Sequence, residues 1–383
     1  MHTRPYEKRA PHPGSGASGE GRLPGVVAWR MGKRRRAAAH VSLAVLPASL
    51  PLVLRHRLLA AWSRPQADVA LATLTLIGLA AAGWALGRSD AGRLLKFSAG
   101  EPRRAGGGML RRLGASRVAV TGLGLVGLFV LAALLAPLLA PYDPIQFSDI
   151  GSTGYAAPSA THWLGTDQYG RDVLSRLLYG ARVSLGIGFV AVGIAVGLGT
   201  LVGLVAGYRG GRVDGALMRF VDMLFAFPRL FLVVLVVGLL HPSIWLVIAV
   251  LGATGWMGTA RLVRAQVLGI READYVRAAV ALGLPARRIA WRHVLPNALT
   301  PVVVSATLLV GQTILNESIL SFLGLGVQVP TPSWGLMIKE GQAVFPDVWW
   351  LSAFPGLAIT LTVVGYNLLG DAIRDALDVR LRT

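Results

Sequence analysis

Residues 271–297 read READYVRAAVALGLPARRIAWRHVLPN and form a charged stretch between two long apolar segments. Four small or apolar residues recur in it at helical spacing and predict a short helix with one smooth face: Tyr275, Ala278, Ala279 and Leu282. Gly283 suits the left-handed residue that ends a helix, and Pro285 suits the first turn of the next helix. The stretch is therefore predicted to form two short helices that meet at a sharp bend.

The composition is that of a polytopic membrane protein. Hydrophobic residues make up 54% of the chain, charged residues only 15%, and the mean hydropathy is +0.57. These values are too apolar for a soluble domain. The net charge of +19 does not indicate a nucleic-acid partner, because the Arg residues of the later chain cluster beside apolar segments, as the positive-inside rule requires. With no cysteine present, disulfides and thiolate metal sites are excluded. The expected surroundings are a lipid bilayer.

Six apolar segments predict an all-α membrane protein with a six-helix bundle. A helix needs about 20 apolar residues to cross a hydrocarbon core of about 30 Å. The segments that meet this length are 118–140, 183–207, 217–240, 243–262, 298–325 and 349–371. The loop 261–296 has a net charge of +5, whereas the loops 141–182 and 326–348 each have −1. The positive loops all fall on one side, which predicts cytoplasmic N- and C-termini.

Residues 1–108 differ from the six-span region 109–383. They carry a net charge of +12, and residues 1–40 are rich in Arg, Gly, Pro and Ser, which predicts disorder. The apolar stretch 69–87 is long enough to span, but inserted alone it would leave a positive tail outside; a hairpin of two spans would restore the charge rule. Because Met109-Leu-Arg-Arg is a natural start, we interpret residues 1–108 as a basic, partly apolar extension or a start-site artefact that transport does not need.

A second polar stretch, residues 162–176, reads HWLGTDQYGRDVLSR. Thr166 or Asp167 can cap a helix there. An apolar stripe follows and ends at a glycine: Val173, Leu174, Leu177, Leu178 and then Gly180. This pattern predicts a short amphipathic helix on the outer membrane interface. Asp167, Arg171 and Asp172 are candidates for a gate or docking element, with a plain interfacial anchor as the alternative.

Glu317 opens the stretch ESILSFLGLG, residues 317–326, inside the fifth apolar segment. A carboxyl group at membrane depth is costly and faces the bundle interior or an aqueous path. We expect either a buried partner, such as an Arg or a backbone N–H, or a contact with substrate. Glu317, Ser318 and Ser321 are therefore candidates for the translocation path or gate.

The second apolar segment has glycines at four-residue spacing, which predicts close helix–helix contact. They are Gly199, Gly203 and Gly207, with Gly193 and Gly197 as another pair. This pattern indicates packing and says nothing about substrate.

Motifs of enzyme active sites are absent from the sequence. There is no G-x-x-x-x-G-K-[ST] loop for ATP phosphates, no nucleophile elbow and no H-E-x-x-H. The seven His residues are scattered, and none pairs at i, i+4 on a helix, so their spacing does not indicate a metal site. We expect a protein that is not an enzyme and that binds no cofactor or metal itself.

Three of these stretches resemble the ABC transporter permeases of the dipeptide, oligopeptide and nickel importer family. Residues 271–297 resemble its EAA loop through Ala278-Ala279, Gly283 and Leu295-Pro296, although Arg277 stands in the acidic position and His293 in the isoleucine position. Residues 162–176 resemble H-x-LGTD-x-x-GRD-x-LSR, and residues 317–326 resemble E-x-x-LSFLGLG.

The resemblance implies a C-type permease subunit in a bacterial or archaeal plasma (inner) membrane. Its partners would be a second permease subunit, in a heterodimer, two ATP-binding subunits that hold ATP-Mg, and an extracytoplasmic substrate-binding protein. It implies that the ATPase is coupled through one loop, whose candidate residues are Arg271, Glu272, Tyr275, Arg277, Ala278, Ala279, Gly283, Arg287, Leu295 and Pro296. Di- or oligopeptides are the expected substrate, with nickel or another small solute as the alternative. An ion-driven secondary transporter would instead show inverted repeats and several intramembrane charges.

Overall fold

The structure is a computed structural model that describes residues 116–147 and 153–377, whose regular structure is helical. Residues 1–108, interpreted above as an extension that transport does not need, lie outside the described residues. The helices are α1 (Arg117–Leu139), α2 (Val173–Arg209), α3 (Gly211–Phe225), α4 (Arg229–Leu239), α5 (Ile244–Arg271), α6 (Asp274–Ala281), α7 (Ala286–Ile289), α8 (Leu295–Phe322), α9 (Trp334–Gln342) and α10 (Trp350–Leu377). A π-helical turn, Ala290–Val294, joins α7 to α8.

Five helical stretches in the described residues are long and apolar enough to cross a membrane. They are α1, α2, α5, the continuous run Ala286–Phe322 and α10. They lie where the first, second, fourth, fifth and sixth spans are predicted, and the all-α membrane fold is confirmed. Several run past the predicted apolar segments, because a helix continues through polar residues once a neighbour packs against it.

The predicted third span, 217–240, is a pair of helices rather than one rod. Helices α3 and α4 are bent by 77° at a short break, and the described residues hold six spans only if this pair counts as one. The break contains Pro228, which lies at the N-cap of α4. A proline inside a helix removes a hydrogen bond and clashes with the preceding turn, so the helix ends there.

Helices α2 and α5 pack closely along their lengths. A Cβ added to Gly199 would lie 2.6 Å from the Cβ of Thr259, and one added to Gly203 would lie 2.4 Å from the carbonyl oxygen of Ala260. The predicted packing of the glycine stripe is thus confirmed there. Gly193 and Gly197 behave differently, since a Cβ on either meets nothing within 4 Å among the described residues.

The prediction of a short outer helix that ends at Gly180 is wrong. Val173 begins α2, which continues through Gly180 to Arg209, and the N-cap is Asp172 rather than Thr166 or Asp167. Gly180 lies inside the helix and lacks the positive φ of a terminating glycine. It serves instead as a contact, since a Cβ there would lie 3.2 Å from Trp334 Cδ1. The indole of Trp334 is fully buried against α2 and donates from Nε1 to the carbonyl oxygen of Leu177 at 3.1 Å.

Two apolar clusters lie at opposite ends of α2, and each packs beside one of the two candidate regions. One joins Leu204, near the C-terminal end of α2, to α5, α6 and α8 around Val267 and Val276. The other joins Val173, at the N-terminal end, to Met337 of α9 and Leu351 of α10. The stretch 271–297 and the stretch 162–176 therefore occupy opposite ends of the bundle.

Candidate functional site

Helix α6 and the turn after it form the first candidate region. Gly283 has φ +75°, in the left-handed region, and its N–H donates to the carbonyl oxygen of Val280. Pro285 is the N-cap of α7. The predicted helix, glycine turn and second helix start are confirmed. The second helix is not a separate short one, because α7 continues through the π-helical turn into α8, where Leu295 and Pro296 are the first residues.

The face that α6 exposes differs from the predicted one. Val276 and Ala279 are buried, at 1% and 5% exposure, against the apolar cluster of α5 and α8. Ala278, Tyr275 and Leu282 are exposed, the last at 81%. Three of the four predicted residues thus share an open face, and the placement of Ala279 on it is wrong. Its small side chain lets α6 lie close to its own bundle.

The charges around α6 pair with one another. Arg277 Nη2 donates to Glu272 Oε2 at 3.0 Å, and Arg271 Nε lies 3.3 Å from Glu272 Oε1. The hydrogen bond from Arg277, followed by that from Arg271, holds the pKa of Glu272 below its usual range. Arg277, which stands in the family's acidic position, therefore shares the acid five residues before it with Arg271.

Tyr275 is tied to the start of α8. Its hydroxyl accepts from Asn297 Nδ2 at 3.1 Å, and the same amide donates to the carbonyl oxygen of His293 at 2.7 Å. Burial raises the pKa of Tyr275, and the bond from Asn297 acts in the opposite direction. This hydrogen bond links the exposed face of α6 to the start of the fifth span.

An open basic groove lies beside α6. It has a volume of about 660 Å³ and is lined by Pro285, Arg287, Arg288, Trp291 and Arg292. Arg287, a predicted coupling residue, is exposed there, as are the neighbouring arginines. This end of the bundle therefore presents an exposed helix face beside a concentrated positive charge.

The stretch 162–176 at the other end forms a buried ionic network. Asp167 Oδ2 accepts from Arg171 Nε at 2.7 Å and also from Arg176 Nη1. Glu340 of α9 closes the network, with Oε2 at 2.7 Å from Arg176 and Oε1 at 3.3 Å from Arg171. The two arginines and Asp167 are each 1% exposed in their side chains, and Glu340 is 11% exposed. The network fastens the stretch onto α9.

Asp172 belongs to a separate group beside this network. Its Oδ2 accepts from the N–H and the hydroxyl of Ser175 at 2.8 and 2.9 Å, and its Oδ1 lies 3.0 Å from His162 Nδ1. Asp167, Arg171 and Asp172, predicted together, do lie in one segment, but all three are buried in this chain. Sequence reasoning missed Glu340, because nothing local marks a partner 169 residues away from Arg171.

Glu317 lies in a cage of serine hydroxyls. Its side chain is fully buried; Oε1 accepts from Ser321 at 2.7 Å, and Oε2 lies 3.4 Å from the hydroxyl of Ser318. The hydroxyls of Ser184 in α2 and Ser333 before α9 also interact with the carboxyl group. The expected buried partner is therefore present, but it is hydroxyl rather than an Arg or a backbone N–H. Within this chain Glu317 does not line an open path.

One deeply placed charge was overlooked in the sequence. Arg229 lies inside the predicted third span, and in the structure it is half-buried at the start of α4. Its Nε donates to Thr254 Oγ1 at 3.3 Å and its Nη2 to the carbonyl oxygen of Leu251 at 3.2 Å. The signal was available, since an arginine in an apolar segment is as costly as a carboxyl group.

Comparison with known proteins gives consistent matches along the chain. The family model described as the binding-protein-dependent transport system inner membrane component matches residues 199–383. A second model, the N-terminal TM domain of oligopeptide transport permease C, matches residues 106–158.

Curated relatives cover a large part of the chain. It is 41% identical over 273 residues to the dipeptide transport system permease protein of Bacillus subtilis (strain 168), which is 71% of this chain and 85% of that protein. It is 38% identical to the oligopeptide transport system permease protein of the same organism over 71% of this chain and 88% of that protein. The oligopeptide transport system permease protein of Haemophilus influenzae is 39% identical over 71% of this chain and 88% of its own length.

Proposed function

This chain belongs to the family of binding-protein-dependent transport system inner membrane components, and from that premise we propose that it is the permease subunit of an importer of di- or oligopeptides. The observation that carries the substrate class is the identity of about 40% to named dipeptide and oligopeptide permeases across most of their length. The chain is a transport component and not an enzyme.

The energy for transport would come from partner subunits. We propose a complex of this chain with a second permease subunit, two ATPase subunits that bind ATP-Mg, and an extracytoplasmic binding protein that selects the peptide. This chain would then supply one half of the path and would alternate between inward and outward access. No discriminating pocket for a whole peptide is required of it under this scheme.

The ATPase contact is assigned to α6 and its arginine surroundings. The exposed face of Tyr275, Ala278 and Leu282 supports this assignment, because a short, small-residue helix can enter a groove of another protein. Arg287 and its neighbours would hold the same partner by charge. The covalent links of α6 to α5 and of α7 to α8 mean that force on α6 reaches two spans directly.

The orientation proposed from the charges places α6 in the cytoplasm. The loop 261–296 is positive, and the stretches 141–182 and 326–348 are slightly negative, which favours the opposite side for the ionic network of Asp167 and Glu340. That network would then lie at the mouth that receives peptide from the binding protein. Because its members are buried, its role there would be to hold the mouth's shape rather than to contact the peptide.

The test of the function is uptake by the reconstituted importer. The chain is expressed with a second permease, two ATPase subunits and a binding protein encoded in the same genome, in cells that lack their own peptide importers. We expect uptake of radiolabelled tri-alanine that depends on ATP and on the binding protein. Uptake of radiolabelled nickel but not of tri-alanine would replace the peptide assignment with the metal alternative, and ATP-independent uptake would overturn the importer class.

A further inference from the structure

Arg229 is a cation inside the bundle that has no acidic partner among the described residues. Its guanidinium contacts the carbonyl of Leu251 and the hydroxyl of Thr254, and no carboxylate of the described residues lies within ion-pair distance. Leu251 stands eight residues along α5, which is roughly 10 Å from the start of that helix at 1.5 Å per residue. An arginine at such depth costs free energy even when hydrogen bonds to the chain offset part of it, and such residues mark functional sites in membrane proteins.

A cavity opens in front of this guanidinium. Its volume is about 160 Å³, and its polar lining consists of Arg229, Gln312 and Asn316, the last two from α8. Apolar side chains complete the lining: Leu230, Val233, Leu251 and Leu320. Gln312 and Asn316 are four residues apart and so lie on one face of the helix. Two amides and one cation therefore converge on the same small space.

The start of α4 adds positive potential to the same place. The N-cap, Pro228, makes no side-chain hydrogen bond to the first turn, and Arg229 and Leu230 of that turn line the cavity. The first N–H groups of a helix have no partner within it and favour negative charge nearby. The first turn of α4 thus lies at the cavity wall, and the guanidinium of Arg229 there has N–H donors beyond the two that bond to Thr254 and Leu251.

The chemistry of the lining selects a carboxylate. A guanidinium presents a planar fork that matches two carboxylate oxygens, and amide N–H groups can donate to the same oxygens or to an adjoining carbonyl. The volume is below the roughly 300–1,000 Å³ of pockets that enclose a whole ligand, so the cavity fits one end of a peptide and not the whole. The apolar part of the cavity lining can pack against the side chain of the peptide's C-terminal residue.

We propose that Arg229, Gln312 and Asn316 form a subsite that binds the C-terminal carboxylate of a peptide as it passes through the permease. The assignment rests on the proposed function, since it takes a peptide as the transported ligand. Its consequence is a preference of the permease itself, independent of the binding protein, for peptides with a free carboxyl end. Gln312 and Asn316 lie on α8, the helix that follows α6 through α7, so the subsite shares a helix with the proposed ATPase contact.

The test compares tri-alanine with tri-alanine amide at concentrations that saturate the binding protein. Maximal uptake rates are measured for the full importer with the native chain, with Arg229→Gln and with Arg229→Lys. Because each variant is divided by the native rate for the same peptide, the preference of the binding protein cancels. A hydrogen bond to a charged group accounts for about tenfold or more in rate. We expect Arg229→Gln to lower tri-alanine uptake at least about tenfold and amide uptake less than about twofold, with Arg229→Lys in between.

Arg219→Gln is the matched control, since Arg219 is exposed on α3 and its loss removes the same charge outside the cavity. If acid and amide uptake fall equally in Arg229→Gln, or neither falls, the subsite is overturned and Arg229 is structural. If Arg229→Gln does not assemble, Asn316→Leu answers the same question, with the same two outcomes. Failure of the native importer to take up either peptide would instead refute the proposed peptide function, and the carboxylate assignment with it.

Discussion

Arg171 Nε donates to Asp167 Oδ2 at 2.7 Å, and both side chains are 1% exposed. Arg176 shares the same oxygen, and Glu340 joins both arginines from α9. Two cations and two anions are thus balanced in a space that water barely reaches. Removing one anion would leave a buried charge uncompensated, whereas the intact group is close to neutral.

Asp167→Ala is therefore expected to destabilise the protein strongly. The loss should be about 3–5 kcal/mol, the usual cost of breaking a buried ion pair by removing one partner. The measurement is thermal unfolding of the purified chain in detergent, with the yield of folded protein. Asp222→Asn is the control, because its partner Arg261 and Asp222 itself are exposed at 47% and 60% and such a pair contributes little. Equal midpoints for the two variants would show that the network does not hold α9 in place.

Ala278→Glu is expected to uncouple ATP hydrolysis from uptake while leaving the bundle intact. Ala278 is exposed on the open face of α6, so a larger acidic side chain alters the contact with the ATPase and not the packing of the chain. Uptake should fall at least about tenfold, as expected for a charge placed in a packed contact, with a normal midpoint of thermal unfolding. Full uptake by Ala278→Glu would remove α6 from the coupling contact.

Ala279→Glu, one residue later, should fail differently. Ala279 is 5% exposed and packs in the cluster that contains Val276 and Val267. A carboxylate buried there without a partner costs several kcal/mol, so α6 should detach from α5 and α8. The readout is faster proteolysis within residues 271–297 of the isolated chain, before any ATPase is added. If the isolated chain resists proteolysis as the native one does, the buried placement of Ala279 is wrong.

Gly203→Ala tests the contact between α2 and α5. The added methyl would lie 2.4 Å from the carbonyl oxygen of Ala260 and 2.7 Å from the Cβ of Val263, so the helices must separate. Overpacking of this kind costs about 1–3 kcal/mol. Gly197→Ala, on the same helix with nothing within 4 Å, should instead be neutral or stabilising by up to about 1 kcal/mol through helix propensity. Gly203→Ala should lower the midpoint of thermal unfolding, and Gly197→Ala should leave it unchanged or raise it. A lowered midpoint in both variants, or in neither, would contradict the packing.

The sequence predicts those features that depend on a residue and its near neighbours. Apolar runs predict the spans, because crossing a bilayer requires a set length. Gly283 and Pro285 predict the turn after α6, because backbone freedom and a fixed φ are properties of the residues themselves. The positions of the glycines predict the approach of α5 at Gly203, although the same spacing at Gly197 meets no partner in the described chain.

Local sequence patterns do not predict contacts between segments that are distant in the chain. Helical spacing groups Ala279 with Ala278 but does not determine which of them turns toward the bundle. Glu340 is found only when α9 is seen to pack against the start of α2. The sequence shows Arg229 as a charged residue in an apolar segment. The cavity in front of it, however, arises from the bend at Pro228 and the approach of α8, which the sequence does not show. In each case the missing information is the tertiary neighbour.

Glu317→Gln and Glu317→Leu separate a structural role from a contact with substrate. The carboxyl group accepts from Ser321, whose own oxygen accepts from the N–H of Val327, so Glu317 anchors the turn that follows α8. Glutamine keeps an acceptor oxygen of similar reach, and we expect near-native assembly and uptake. Leucine leaves the buried hydroxyl of Ser321 without its acceptor, at a cost of about 1–3 kcal/mol, and should lower the yield of assembled importer.

Because Glu317 is fully buried within this chain, the ratio of uptake of tri-alanine to N-acetyl tri-alanine should be the same in Glu317→Gln as in the native protein. A selective loss of the peptide with the free amine would show that Glu317 meets the substrate, and native behaviour of Glu317→Leu would show that the serine cage holds nothing together.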